Sequence, residues 1–182
     1  MGLFSSLFGN VGVAKPNIEK LYSEYQKLGQ KSPKLSSLFD RFTHSTKQYK
    51  LELHDIINEA INNEDVAKLN FALNIAYRDG IDDSYTKLIV QLLTATWHDE
   101  HEDLVAHISL DKLNNDAFTE PIYRIATEPD LYRKYDDEME PTLRKCIQAL
   151  KVINSERANI YIKRLKDTGN INVKIMLSMY NE

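Results

Sequence analysis

Helix-spaced apolar residues run through most of this chain, and breaks interrupt them every 12 to 18 residues or so. Such a pattern makes many short helices, each with one apolar stripe that must be buried against another helix. Tyr49, Leu53, Ile56, Ile57 and Ala60 mark one stripe; Val66, Leu69, Leu73, Ala76 and Tyr77 mark the next. Tyr85, Leu88, Ile89 and Leu92 follow, then Leu104, Val105 and Ile108, then Phe118, Ile122 and Ile125. Leu143, Cys146, Ile147, Leu150 and Ile153 carry a sixth stripe, and Ala158, Tyr161, Ile162 and Leu165 a seventh. Ile171, Ile175, Met176 and Met179 form the last. Turn and cap residues separate them at Asn62-Asn63, Asp79-Gly80, Asn114-Asn115-Asp116 and Thr168-Gly169-Asn170.

Taken in pairs, the first helices begin near residues 47, 82, 114 and 155, a unit of about 32 to 41 residues. Two helices per unit at that period predict an α-solenoid. The breaks rule out sustained heptads and with them a coiled coil. An antiparallel bundle with short loops has a similar pattern; the period favours the solenoid. Residues 47–182 are therefore read as the repeat domain, forming a single compact unit with an N-terminal helical segment over 16–46. That segment starts at Pro16 and carries Ile18, Leu21, Tyr22 and Tyr25, then Leu38, Phe39 and Phe42.

Residues 1–15 read as a flexible apolar start, with Leu3, Phe4, Leu7 and Phe8 on one helical face. Met1-Gly2 with Ser6 formally matches an N-myristoylation acceptor. No basic residue precedes Lys15, so the start does not read as a secretory signal. With 182 residues and 42% hydrophobic content the chain can bury one sizeable core. No apolar run approaches the ~20 residues of a membrane span, so stable membrane insertion is not expected. A single cysteine, Cys146, precludes an internal disulfide and fits the cytoplasm. It lies on an apolar stripe, where a thiol is an inert small hydrophobe.

Catalytic and cofactor motifs are missing from the sequence. The six glycines make neither GxGxxG nor GxxxxGK, and no Gly-x-Ser-x-Gly elbow occurs. His98 and His101 are spaced i, i+3, which places both on one helical face. His101-Glu102-Asp103-Leu104-Val105 begins like a zinc-protease motif but ends in Val105 where the second ligand belongs. His107 falls on another face, so no tetrahedral set forms, and neither metal, cofactor nor catalytic residue is expected. Glu100, Glu102 and Asp103 read as anions favoured at a helix start.

Charge is segregated along the chain. Residues 1–98 balance 11 basic against 11 acidic side chains; residues 99–140 carry 4 against 13; residues 141–182 carry 8 against 3. A belt at −9 reads either as a solvated face that serves solubility alone or, more sharply, as a surface that steers and binds a basic partner. Its centre is the Pro129-started stretch between two helices. Asp130, Tyr132, Tyr135, Asp136, Asp137 and Glu138 there are the candidate partner-binding residues, since tyrosines among carboxylates suit interface hot spots.

Three stretches carry a resemblance: Trp97-His98-Asp99-Glu100-His101-Glu102-Asp103-Leu104-Val105, then Tyr132 with Tyr135-Asp136-Asp137, then Arg144-Lys145-Cys146-Ile147-Gln148-Ala149-Leu150. From Trp97 to about Met179 the chain resembles a bacterial family of small HEAT-repeat proteins. Phe118-Thr119-Glu120-Pro121-Ile122 is similar to the kinked first helix of a HEAT unit. Two positions depart from the family pattern: Asn154-Ser155-Glu156-Arg157-Ala158 replaces Gly-(Thr/Ser)-Pro-Glu-Ala, and Gln148 stands where an aromatic residue is common. The resemblance implies an all-α, HEAT-like right-handed solenoid of about four helix pairs plus the N-terminal segment. It also implies a binding or scaffold role, several members being similar to immunity proteins that neutralise a bacterial toxin. The expected partner is a basic toxin domain such as a nuclease, with no nucleic acid bound and a monomer when free. HEAT-like DNA glycosylases keep an enzymatic alternative open, with Arg157 to Lys166 as its cationic face, and a scaffold in a larger assembly is the third reading.

Overall fold

In the computed structural model residues 18–28, 32–44 and 48–180 are described. The expectations for residues 1–17, including the Gly2 acceptor and the Pro16 helix start, lie outside them. Among the described residues the chain is all-helical, with no strand. In chain order the helices are α1 (Ile18–Leu28), α2 (Leu35–Thr43), α3 (Tyr49–Asn63), α4 (Val66–Asp79), α5 (Thr86–Thr94) and α6 (His101–Leu110). Then come α7 (Thr119–Thr127), the single turn α8 (Pro129–Tyr132), α9 (Pro141–Ile153), α10 (Glu156–Asp167) and α11 (Ile171–Ser178). Short 3-10 turns, Asp83–Tyr85 and Asp116–Phe118, lead into α5 and α7.

The breaks have identifiable causes. Asp65 caps α4, its carboxylate accepting from the Lys68 amide at 2.9 Å. Helix α3 runs through Asn62-Asn63, and the chain turns one residue later at Glu64, which has a left-handed φ of 52°. Gly80 turns the chain after α4 with φ 83°, a conformation costly for a residue with a Cβ. Ser155 caps α10 through the Ala158 amide at 3.1 Å, and Asn170 caps α11 through the Asn172 amide at 2.7 Å. Pro121 sits in the first turn of α7, where its missing N–H has no helical partner to lose.

The chain divides into two compact units between Glu52 and Leu53, inside α3. In the first, Tyr25 of α1 and Phe39 of α2 pack at 6.3 Å between ring centroids, and Glu24 pairs with Arg41. In the second, α9 packs on α6, α7, α10 and α11; α5 also packs on α6 and α7, and α10 on α7 and α11. Side-chain contacts give the helix directions. Glu102 at the start of α6 meets Lys145 at the start of α9 at 2.7 Å. Arg144 of that same turn meets Asn172 at the start of α11 at 3.1 Å. Helices α6 and α9, and α9 and α11, therefore pack with their starts together. Stacked Tyr123 and Tyr161 rings, 4.2 Å apart, join α7 and α10 alongside. Phe118, Ile122, Cys146, Ile147 and Leu150 are fully buried in this unit. No helix among the described residues is long and apolar enough to cross a membrane.

Candidate functional site

The Pro129–Glu140 stretch joins α7 to α9 and is held from within by Arg133. Its Nε donates to the Ile125 carbonyl and one Nη to the Ala126 carbonyl, both at 3.0 Å, satisfying the C-terminal end of α7. The other Nη reaches the Asp136 carboxylate at 2.9 Å and Glu140 at 3.2 Å. Asp136 in turn accepts from the Thr142 amide at 3.1 Å and hydroxyl at 2.6 Å, at the start of α9. Glu140 accepts from Asn170 at 2.7 Å and Asn172 at 2.9 Å, which ties the stretch to α11. Burial pushes the Asp136 carboxyl up, but bonds from Thr142 and Arg133 outweigh it and hold the group below the usual range. Glu140 is lowered in the same way, burial being outweighed by Asn170, Asn172 and Arg133.

This clamp sorts the six sequence candidates. Tyr132 and Asp136 turn inward, Tyr132 being buried edge-on against the His101 ring at 5.0 Å. Asp130, Tyr135, Asp137 and Glu138 stay exposed. Tyr135 is 80% exposed, and Leu131 and Met139 are exposed on the same stretch. Between the stretch and α6 lies a cleft of about 80 Å³ whose walls include Asp99, His101, Glu102, Lys134 and Tyr135. In the sequence Arg133 is one of four cations in the belt. The spacing of Asp136 and Glu140 three and seven residues after it, before a Pro-started helix, was the available signal.

Behind the cleft the two histidines serve the backbone. Helix α6 begins at His101, so His98 precedes it and the pair does not share a helical face. Their rings nevertheless stack at 4.7 Å. His98 Nε2 donates to the Leu92 carbonyl at 3.1 Å, while its Nδ1 accepts from the Glu100 amide at 3.1 Å. His101 Nε2 donates to the Ala95 carbonyl at 2.8 Å. Burial pulls His98 down to about 4, helped by His101, and also lowers His101. These neutral rings finish the C-terminal end of α5. No group of three or more His, Cys, Asp or Glu side chains among the described residues could hold a metal. Cys146 is wholly buried, which pushes its thiol up to about 12.

Glu100 is the other perturbed group here. Burial, with Asp103 and Asp99 nearby, raises its carboxyl to about 7. Asn70 of α4, its amide turned to donate, reaches Glu100 Oε1 at 3.1 Å.

No protein-family model matches the chain, and no curated protein or solved structure matches it. What the surface offers chemically is a rigidly based tip of aromatic, aliphatic and carboxylate groups beside a small cleft lined by carboxylates together with Arg133 and Lys134.

Proposed function

We propose that this chain is a non-enzymatic binding protein, a HEAT-like right-handed α-solenoid acting as an immunity protein that occludes a basic toxin domain. The observation that carries the reading is the buried Arg133 clamp under an exposed tip of Tyr135, Asp137 and Glu138. A loop whose base is already fixed loses little conformational entropy when a partner docks on its tip. Tyr135 supplies rigid contact area, and the carboxylates supply charge that steers and orients a basic surface. For the solenoid, the support is the two-helix period together with the start-to-start packing of α6 on α9 and α9 on α11. Such a protein acts in the cytoplasm, where its single thiol stays reduced.

The test is the affinity of the purified chain for the toxin domain encoded beside its gene, measured over a salt series. Replacing Asp137 and Glu138 with Lys turns attraction into repulsion and should weaken binding by about 2 kcal/mol or more. Lys163→Glu with Arg164→Glu should not weaken it comparably. Equal, salt-independent binding by the Asp137/Glu138 variant and the parent rules the reading out.

A further inference from the structure

Helix α1 packs on α2, and Leu21, Tyr25, Leu38, Phe39 and Phe42 are the buried apolar residues of the pair. The same two helices border an open groove of about 410 Å³, lined by Glu24, Lys27 and Leu28 of α1 and by Lys34, Ser37 and Arg41 at the start and along the length of α2. Helical spacing explains the convergence, since residues three, four and seven apart share a face. Three of the six are cations and one is a carboxylate, a local balance of +2 in a chain whose net charge is −4. Packing does not account for them. Lys27, Lys34 and Ser37 are exposed, and among the described residues their side chains make no ion pair. Arg41 pairs with Glu24 through one Nη only. Lys27 and Arg41 fall in the last turns of their helices, where the dipole favours a cation. Lys34 is the opposite case. It stands just before the first turn of α2, its side chain makes no cap bond, and that turn holds no acidic residue. The dipole opposes a cation there, and Ser, Thr, Asp or Asn is the ordinary cap. Local rules of this kind are broken chiefly at functional or strained sites.

We propose that this groove binds a phosphomonoester, its phosphoryl group held by Lys27, Lys34 and Arg41 with the Ser37 hydroxyl, and its organic body lying along Leu28. A phosphomonoester carries close to two negative charges at pH 7, which matches the groove's balance of +2. Its three terminal oxygens accept from several directions at once, as donors standing on two helices require. A monoanion fits less well, because Glu24 already supplies one carboxylate to Arg41 and the two lysines stay uncompensated. The groove exceeds a bare phosphoryl group and falls in the range of small-molecule sites, about 300–1,000 Å³, so the ligand is an ester rather than the free ion. A soluble ester and the head group of phosphatidic acid share this chemistry. No residue of the Pro129–Glu140 tip takes part, so this site and the toxin-binding reading fail independently.

Calorimetric titration of the full chain with phenyl phosphate tests this, with benzoate as the monoanion. The parent should bind phenyl phosphate saturably and benzoate about tenfold or more weakly. Lys34→Asp puts an acid at the start of α2, so its melting temperature should hold or rise, while the dissociation constant for phenyl phosphate rises by about tenfold or more. Lys27→Gln should weaken binding by about threefold or more, and this arm decides should Lys34→Asp not fold. Lys163→Glu with Lys166→Glu, exposed cations on α10, should leave binding unchanged. Flotation with phosphatidylcholine vesicles containing phosphatidic acid, against phosphatidylcholine alone, identifies the source of the ester. Flotation that Lys34→Asp abolishes, without binding of phenyl phosphate, assigns the groove to the lipid head group; the reverse assigns it to a soluble ester. A parent that neither binds phenyl phosphate nor floats with phosphatidic acid overturns the proposal. So does binding that survives both Lys34→Asp and Lys27→Gln, or that falls equally in the Lys163/Lys166 variant.

Discussion

Arg133 and Asp136 form a buried ion pair at 2.9 Å, with only 5% and 7% of their side chains exposed. A pair at that depth stabilises because each guanidinium nitrogen and each carboxylate oxygen has a partner, the others being Ile125, Ala126, Glu140 and Thr142. Removing one partner leaves the other charge stranded. Arg133→Ala should therefore cost about 3–5 kcal/mol, since it takes the counter-charge from two carboxylates and a donor from two carbonyls together. Asp136→Ala should cost less, because Glu140 remains as a counter-charge at 3.2 Å. Urea unfolding measures both; a loss under 1 kcal/mol for Arg133→Ala would remove the clamp as the reason the stretch is ordered.

Neighbouring carboxylates should then behave in opposite ways. Asp136→Lys drives a cation against Arg133 and should unfold the stretch or the domain. Asp137→Lys changes an exposed side chain and should shift stability by no more than about 0.5 kcal/mol. Thermal melts of the two variants side by side check the difference. Equal behaviour would mean that the inward and outward assignments of this loop are wrong.

That difference could not be read from the sequence. Tyr132-Arg133-Lys134-Tyr135-Asp136-Asp137 alternates similar residues, and which ones turn inward is decided by carbonyls on α7 and the start of α9. Helix positions were legible because they rest on local signals. Ser155 caps α10 as its sequence context indicates, and the first helices begin at Tyr49, at the turns from Asp83 and Asp116, and at Glu156. In α11 the local signal failed, because apolar residues on both sides give two equally good stripes, and burial selects Val173, Met176 and Leu177. His98 and His101 were paired correctly in space but for the wrong reason, since they meet across the start of α6 rather than along one face.

Two groups beside the start of α6 oppose each other in pH. His98 is lowered to about 4, so between that pH and its unfolded value near 6.5 the unfolded chain binds the extra proton. Its stabilising contribution is whole above about 6.5 and is lost as pH falls toward 4. Glu100 is raised to about 7, so between 4.5 and that pH the folded chain holds the extra proton. Its contribution is whole below about 4.5 and is lost as pH rises through 7. Near pH 5 to 6 the two nearly cancel. Glu100→Gln removes one side of the balance. Relative to the parent, its stability should fall by roughly 1 kcal/mol more for each pH unit of acidification in that window. Unfolding curves at several pH values give the slopes, and parallel slopes would show that Glu100 holds no proton in the folded chain.

The Tyr77 hydroxyl is buried with no hydrogen-bond partner, while its ring stacks on His107 at 4.0 Å. Burial raises its ionisation well above the usual phenol range, and the Glu100 and Asp103 carboxylates add to the rise, so the group stays neutral. A neutral hydroxyl deprived of water and of any acceptor costs about 1–3 kcal/mol. Phenylalanine keeps the ring, its stacking and nearly its volume, and drops only the oxygen. Tyr77→Phe should therefore stabilise the protein, by about 1 kcal/mol once relaxation around the vacated position is allowed for. Tyr77→Ala, which also removes the ring, should instead destabilise by about 3 kcal/mol or more. Chemical denaturation of the three proteins separates the hydroxyl from the ring. If Tyr77→Phe loses stability, the hydroxyl is donating to a neighbouring carboxylate, and Glu100→Gln should then abolish the difference between tyrosine and phenylalanine at this position.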